Sequence, residues 1–170
     1  GVGWYRTEFN VPEGMKAELL FDGAMSEARV YVNGHEVCFW PYGYSPFHCD
    51  VTPYLNQTGP NVLAVRLENL PFSSRWYPGA GLYRNVHLVC TSAKAHIPVW
   101  GTFVSTPSVH KDMASVSLAI SLQSDKENID IEYSTDIFSP EGEKVASRRS
   151  VALYHNGDSH VQKFLVKEPK

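Results

Sequence analysis

The stretch Ala28-Arg29-Val30-Tyr31-Val32-Asn33-Gly34-His35-Glu36-Val37-Cys38-Phe39 decides how this sequence folds. Asn33-Gly34 supplies two residues that tolerate a positive φ, as a type I′ turn requires. Apolar side chains alternate before the turn, so Ala28, Val30 and Val32 are predicted to face a core. The stretch therefore predicts an antiparallel β-hairpin.

Short strand patterns separated by Pro, Gly and Asp turn signals lie on both sides of this hairpin. Thr52 is predicted to cap a single helical turn with Pro53 at its first position. No segment of useful length has the helical period. Seven or eight short strands with turns between them predict an all-β sandwich. Besides the hairpin, the predicted strands cover residues 4–11, 17–21, 47–51, 61–69 and 85–89.

Residues 91–94 interrupt the pattern and predict a boundary between two domains, 1–92 and 93–170. Beyond this boundary the strands are longer, and residues 114–123 alternate strictly between apolar and small or polar side chains. The pattern predicts an immunoglobulin-like sandwich. Because the second domain contains no cysteine, apolar burial alone must hold its sheets together. Its further predicted strands cover residues 129–137, 144–153 and 160–166.

Composition limits the classes of partner. The 170 residues are 43% hydrophobic and 19% charged, and the formal net charge of −3 comes without any basic run. Nucleic acid is therefore not expected as a partner. No apolar stretch approaches the ~20 residues that span a bilayer, and no signal-peptide pattern opens the chain. Because it opens on Gly1 without Met, we expect a piece of a longer protein whose first domain is truncated at its N-terminus.

The cysteines and histidines give no metal-ligand spacing. Cys38, Cys49 and Cys90 form no CxxC motif and are expected as buried thiols, with a Cys38–Cys49 bridge between neighbouring strands as the alternative. Asp22 and Asp50 border turns and are expected to accept local backbone hydrogen bonds.

Residues 73–86 form the most irregular part of the chain, because Pro78, Gly79 and Gly81 break any regular element. Trp76, Tyr77 and Tyr83 would expose large apolar surfaces if the loop were fully solvated. These rings are expected to pack under the loop or to offer a flat apolar face to a ligand such as a sugar ring.

Together these motifs resemble the N-terminal part of glycoside hydrolase family 2, and most closely its bacterial, polysaccharide-degrading β-galactosidases. The resemblance is strong to about residue 89 and weaker beyond, where it rests on residues 100–109 and a strand pattern. It is carried by residues 73–86 and by Gly3-Trp4-Tyr5-Arg6, Phe21-Asp22-Gly23, Ala28-Arg29-Val30-Tyr31-Val32-Asn33-Gly34, Tyr42-Gly43-Tyr44 and Asn61-Val62-Leu63-Ala64-Val65-Arg66.

The resemblance implies a jelly-roll domain of the sugar-binding type followed by the immunoglobulin-like domain. In this family two catalytic glutamates lie on a (β/α)₈ barrel that follows both sandwiches. We therefore expect no catalytic residue in this chain. The partners implied are a β-galactoside or related glycan and the protein's own barrel, and a homo-oligomer is compatible with them. Relatives of this type act outside the cytoplasm, which implies an extracytoplasmic location.

The candidate sugar contacts lie in the loops. Arg75 is the main candidate, because an always-charged donor in an aromatic loop suits sugar hydroxyls or a carboxylate of the barrel; a surface arginine over Trp76 is the alternative. The remaining candidates at the pocket rim are Trp76, Tyr77, Asn69, Tyr42 and Tyr44, whereas Arg84 is expected to pair with a buried carboxylate.

The resemblance implies no cofactor for these 170 residues. An alkali or magnesium ion is compatible only with the full-length enzyme. Ser74 and Arg75 stand where some family members carry an aspartate that helps to bind the sugar and an alkali cation.

Two other functions stay open. The chain could be an autonomous carbohydrate-binding module whose ligand platform is formed by loop aromatics. It could also be a structural or adhesion module of two tandem sandwiches. The platform would consist of Trp40, Tyr42, Tyr44, Trp76 and Tyr77.

Overall fold

The computed structural model describes residues 1–56, 58–72 and 79–169. They divide into two compact units, Gly1–Ser92 and Ala93–Lys170. The fold is all-β, as predicted, and both units are built from packed antiparallel sheets. No helix in the described ranges has the length and apolar character that a membrane crossing would require.

The first unit, in its described residues, contains seven strands in two sheets. A four-stranded sheet has the order β1-β6-β3-β4, and a three-stranded sheet has the order β5-β2-β7. A 3-10 turn, Thr52–Tyr54, follows β5. The strands are β1 (Val2–Phe9), β2 (Met15–Phe21), β3 (Ala28–Val32), β4 (His35–Trp40), β5 (Phe47–Asp50), β6 (Asn61–Glu68) and β7 (Val86–Ser92).

The predicted hairpin is confirmed. β3 pairs with β4, and Asn33 and Gly34 have φ values of 51° and 87°. Ala28, Val30 and Val32 are completely buried. Together with inward residues of β6 and of β2 and β5 in the other sheet, they form one core. At about 25 cal/mol per Å² of apolar surface, this burial dominates the stability of the unit.

Asn33 also joins the hairpin turn to the start of β6. Its Nδ2 donates to the carbonyl of Tyr54 at 2.8 Å and to Oδ1 of the buried Asn61 at 2.9 Å. Its Oδ1 accepts from the backbone N–H of Val62 at 2.9 Å. The turn residue therefore fixes two neighbouring segments besides its own hairpin.

The expectation of buried thiols was wrong for Cys38 and Cys49, and the alternative, a bridge between them, is confirmed. Cys38 and Cys49 form a disulfide that joins β4 to β5, the strands at one edge of the two facing sheets. Thiol burial and disulfide pairing give the same apolar sequence context, so the residue types did not distinguish them. Cys90 is a free, half-buried cysteine, and burial raises the pKa of its thiol.

Thr52 does not cap the helical turn. The residue at the cap position is Val51, and no side chain caps the turn there. The Thr52 hydroxyl instead accepts from the N–H of Ala17 at 3.0 Å. The prediction failed because Thr52 satisfies a neighbouring strand rather than its own turn. Asp50 does accept from the Thr52 N–H at 2.9 Å, as expected for a turn aspartate.

Residues 93–169 of the second unit form five strands. Three form a sheet of order β12-β9-β8, and two form a second sheet, β10-β11. Leu118, Ile120 and Phe164 of the larger sheet pack with Ile131 and Tyr154 of the smaller one. The strands are β8 (Thr102–Val109), β9 (Met113–Ser121), β10 (Ile129–Phe138), β11 (Lys144–Tyr154) and β12 (Ser159–Lys167).

Candidate functional site

Three connections of the first unit are tied together at one end of its sandwich. Met25 and Gly81 exchange two backbone hydrogen bonds, each of 3.0 Å. The hydroxyl of Tyr83 donates to the carbonyl of Gly43 at 2.8 Å. These contacts connect the segment after β2, the loop after β4 and the segment that leads into β7, and they form what we call the loop face.

Two glycines allow these segments to approach closely. Gly81 has a φ of +119°, and a Cβ at this position would lie 2.5 Å from the hydroxyl oxygen of Tyr5. A Cβ on Gly23 would lie 2.7 Å from the hydroxyl oxygen of Tyr83. Both distances are shorter than a real Cβ contact, so neither position accepts a side chain without movement of a tyrosine.

A cavity of about 90 Å³ opens at the loop face. Ligand pockets usually measure about 300 to 1,000 Å³. This cavity alone is therefore too small to enclose a sugar ring and can form only part of a pocket. Its lining residues are Gly1, Gly3, Tyr5, Met25, Leu67, Asn69, Ala80 and Gly81.

Asn69 is the predicted site residue that the structure brings to this cavity. It follows β6 directly, and its backbone N–H donates to the carbonyl of Gly1 at 2.9 Å. It therefore has the backbone bonding of a residue at a strand end, and it also lines the cavity.

Tyr42 and Tyr44 lie together on the loop after β4. Their ring centroids are 5.7 Å apart at an interplanar angle of 64°, and their side chains are 58% and 48% exposed. Trp40 differs from this pair, because its ring stacks on Phe47, which stacks in turn on the buried Phe21. Trp40 therefore anchors the loop to the core, while the rings of the two tyrosines remain about half exposed.

Arg75, Trp76 and Tyr77 lie outside the described residues. The prediction that Arg84 pairs with a buried carboxylate was wrong within the described part of the chain. Its guanidinium lies over the Tyr83 ring and donates to the carbonyl of Asp22 at 3.4 Å. The carboxylate of Asp22 faces His87 Nε2 at 3.0 Å instead of the local backbone. Because the loop is exposed, both side chains form hydrogen bonds with neighbouring groups. Sequence spacing does not identify these partners.

Sequence reasoning missed Tyr5. Its hydroxyl reaches Gly81, and its ring lines the cavity. The signal was present in the alternation of β1, because Tyr5 lies opposite Val65, an inward residue of β6. An inward tyrosine near the start of an edge strand indicates a position where the core meets a loop.

The shifted carboxyl groups of the described chain do not suit a general acid, which needs a raised pKa. The Tyr31 hydroxyl, 2.9 Å from Glu36, holds the pKa of that carboxyl below its ordinary value, and Arg29 acts in the same direction at 2.8 Å. Lys144 and then Ser147 lower the pKa of Asp136. These shifts come from surface pairs. Likewise, the described ranges contain no cluster of three or more His, Cys, Asp or Glu side chains suited to a metal ion.

Comparison with known proteins identifies the first unit. The family described as "Glycosyl hydrolases family 2, sugar binding domain" matches residues 1–92. The chain is 39% identical to the β-galactosidase BoGH2A of Bacteroides ovatus, an alignment that covers 100% of the chain and 21% of that relative. It is 31% identical to a putative β-glucuronidase of Formosa agariphila, covering 86% of the chain and 14% of that relative.

Solved structures agree over both units. A glycosyl hydrolase family 2 member from Bacteroides cellulosilyticus superposes with a TM-score of 0.94 at 31% identity. The match covers 100% of the chain and 23% of that protein. A Bacteroides uniformis β-glucuronidase matches with a TM-score of 0.85 at 27% identity, covering 100% of the chain and 22% of that protein. The chain thus spans about a fifth of the length of these relatives.

Proposed function

Because the chain belongs to glycoside hydrolase family 2, we propose that it is the non-catalytic N-terminal part of a retaining exo-glycosidase that degrades glycans. In this proposal the loop face supplies one wall of the sugar pocket. A (β/α)₈ barrel outside these residues carries the two catalytic glutamates and completes the pocket.

The loop face is the observation that carries the proposal. It combines a cavity too small for a whole sugar with exposed, mutually packed tyrosine rings. Aromatic faces suit the apolar faces of pyranose rings, but an open surface without an enclosing wall buries little of a ligand. The arrangement therefore suits a pocket that a second domain closes.

A β-galactoside is the substrate class we propose. The support is the 39% identity with a β-galactosidase, against 31% for a putative β-glucuronidase. An extracytoplasmic location is proposed as well, and the Cys38–Cys49 disulfide supports it, since such bonds persist mainly in oxidising compartments.

The test is hydrolysis of 4-nitrophenyl β-galactoside and β-glucuronide by the full-length protein and by the 170-residue chain. We expect the full-length protein to prefer the galactoside by at least about tenfold in kcat/KM. The chain alone should hydrolyse neither substrate. Glucuronide preference would overturn the substrate class, and hydrolysis by the chain alone would overturn the non-catalytic role.

The pocket wall has its own test in the full-length protein. Arg75→Ala is expected to lower kcat/KM about tenfold or more, because the loss of a charged hydrogen bond costs about 1.5 to 3 kcal/mol. Arg84→Ala is the matched control, since this arginine of the same loop already bonds the Asp22 carbonyl. Equal effects of the two changes would remove Arg75 from the proposed wall.

An autonomous carbohydrate-binding module is the second candidate, favoured by the exposed Tyr42–Tyr44 pair. Calorimetry of the 170-residue chain with galactose and a β-galactoside oligosaccharide separates the two functions. A pocket wall alone should bind more weakly than about 10 mM. Phe103, a 70% exposed residue of β8, provides the control. Submillimolar binding that is lost in Tyr42→Ala/Tyr44→Ala but kept in Phe103→Ala would establish the binding module.

A further inference from the structure

Tyr83 connects two segments of the loop face through its hydroxyl group. The hydroxyl donates to the carbonyl of Gly43 at 2.8 Å, although the two residues are 40 positions apart in the sequence. Gly43 is buried, whereas its neighbours Tyr42 and Tyr44 are 58% and 48% exposed. The hydrogen bond therefore holds the backbone of residues 41–46, which we call the tyrosine loop, between its two exposed rings.

The backbone around Tyr83 determines where its hydroxyl lies. A Cβ on the buried Gly23 would lie 2.7 Å from the hydroxyl oxygen of Tyr83 and 2.8 Å from Cζ of its ring, so the ring packs directly on the glycine. Two residues before Tyr83, Gly81 exchanges two backbone hydrogen bonds with Met25. The segment that carries Tyr83 is thus fixed, and the ring occupies space that only a glycine leaves open.

Further hydrogen bonds attach the tyrosine loop near its ends. The N–H of Glu27 donates to the carbonyl of Pro41 at 3.2 Å, and Nε1 of Trp40 donates to the hydroxyl of Ser45 at 3.3 Å. The bond to Gly43 lies between these two attachments. Because glycine has more conformational freedom than any other residue, a hydrogen bond at this position removes the largest local source of disorder.

Order in the free protein matters for binding. A loop that must be ordered when a ligand binds weakens the apparent affinity, because the Kd is divided by the fraction of molecules in the competent conformation. A hydrogen bond that orders the loop beforehand removes this cost. The loss of one ordinary hydrogen bond changes such an equilibrium on the order of fivefold.

We propose that Tyr83 is a positioning residue: its hydroxyl keeps the rings of Tyr42 and Tyr44 in the arrangement that meets the sugar. The inference rests on the proposed function, because these rings belong to the proposed pocket wall. Contacts that are equal in the ground state and the transition state affect KM and leave kcat unchanged. The hydrogen bond of Tyr83 should therefore act on KM.

The test measures kcat and KM of the full-length protein with whichever of the two 4-nitrophenyl glycosides it prefers. Tyr83→Phe is expected to raise KM about fivefold and to change kcat by less than about twofold. Tyr31→Phe is the matched control, because it removes a hydroxyl of β3 that donates to Glu36 at 2.9 Å. An unchanged KM in Tyr83→Phe, or equal increases in both variants, would overturn the inference.

Gly23→Ala disturbs the same hydrogen bond without removing the hydroxyl. The added Cβ requires the Tyr83 ring to move, so we expect a rise in KM similar to that of Tyr83→Phe. A KM equal to that of the unmodified protein would show that the position of the ring does not matter, and it would contradict the positioning role.

A double-mutant cycle tests whether Tyr83 acts through the two rings. Tyr42→Ala/Tyr44→Ala should raise KM, and the addition of Tyr83→Phe should then change KM by less than about twofold. A further fivefold rise would overturn the inference, because Tyr83 would then act by another route. An unchanged KM in Tyr42→Ala/Tyr44→Ala would overturn the pocket role of these rings and the inference with it. An effect of this pair without an effect of Tyr83→Phe would overturn the inference alone.

Amide hydrogen exchange in the full-length protein provides a readout without substrate. Residues 42–45 should exchange about fivefold faster in Tyr83→Phe than in the unmodified protein, while the β3–β4 hairpin should keep its exchange rates. Equal exchange of residues 42–45 in both proteins would show that the hydroxyl does not order the loop and would overturn the inference. This readout requires no hydrolysis, so the inference and the proposed function can fail independently.

Discussion

The inward sides of β6 and β8 show how differently the two units are closed. Leu63, Val65 and Leu67 of β6 are at most 7% exposed, whereas Val104 and Val109 of β8 are at least 60% exposed. Val104 and Val109 lie opposite the buried Leu118 and Ala114 of β9, so both strands direct valines towards a core. The difference teaches that alternation determines which side of a strand faces inward, while burial depends on a second sheet wide enough to cover it.

The largest expected effect tests this contrast with one ring from each unit. Phe21 is completely buried and stacks on Phe47 at a centroid distance of 4.6 Å, whereas Phe138 is 56% exposed. In the 170-residue chain Phe21→Ala should lower the free energy of unfolding of its unit by about 3 to 5 kcal/mol. Phe138→Ala should cost less than about 1 kcal/mol. Urea unfolding measures both, and comparable losses would contradict the difference in coverage.

The next effect concerns the disulfide, which only the first unit has. Replacing Cys38 and Cys49 by Ala should lower the free energy of unfolding of that unit by about 3 kcal/mol, because the bond closes a short loop in the unfolded chain. Cys90→Ala is the control for a cysteine outside the bridge. Denaturant unfolding with and without reductant measures the effect. The reductant should destabilise the unmodified chain and leave the double variant unchanged, and a double variant that the reductant destabilises would contradict the expectation.

A smaller effect is expected at the buried amide of the second unit. Gln162 is 1% exposed, and its Oε1 has no hydrogen-bond partner in the described part of the chain. Gln162→Leu has a similar volume and removes this unsatisfied acceptor, so it should raise the free energy of unfolding by about 1 kcal/mol. The half-buried Ser150 hydroxyl loses its partner, which limits the gain. Thermal unfolding measures the change, and a loss of stability would show that the amide is needed.

The smallest effects come from one surface carboxylate in each unit. The pKa values of Glu36 and Asp136 lie below their ordinary values of 4.5 and 3.8. The stabilisation of the folded chain by each ionised carboxylate is therefore fully present above these ordinary pKa values. It is lost as the pH falls through the lowered pKa values. Glu36→Gln and Asp136→Asn should each lower Tm slightly at pH 7, and the difference from the unmodified chain should disappear in acid. A Tm difference that persists at pH 2 would exclude this origin.

The fold was predictable where neighbouring residues determine the structure. Asn33-Gly34 fixed its hairpin, and the alternation in β6 assigned the correct buried face. Prediction failed where the partner is distant in sequence: the Thr52 hydroxyl accepts from the N–H of Ala17, 35 residues away. The Cys38–Cys49 bridge between the two sheets was predicted only as the alternative to buried thiols. The jelly-roll and immunoglobulin-like types of sandwich stay predictions.

The candidate site was predictable only in part, for the same reason. Tyr42 and Tyr44 are neighbours in sequence and lie together, and Asn69 reaches the cavity from a strand end. Tyr5 was missed because its importance depends on Gly81, which lies 76 positions later in the chain. Residue types indicated the chemistry of the loop face, but the fold determined which groups meet there.

The bonds of Asn33 have a consequence for the chemical ageing of the protein. An asparagine followed by glycine is prone to deamidation, in which the next backbone nitrogen attacks the side-chain carbonyl carbon, ammonia leaves, and water opens the resulting succinimide to aspartate or isoaspartate. In this turn Nδ2 is held by two acceptors and Oδ1 by one donor, which resists the rotation needed for attack. If the amide were lost, a carboxylate would face the Tyr54 carbonyl and Asn61 Oδ1. Storage that permits local opening of this turn would therefore introduce a charge that is repelled by the acceptors at the start of β6.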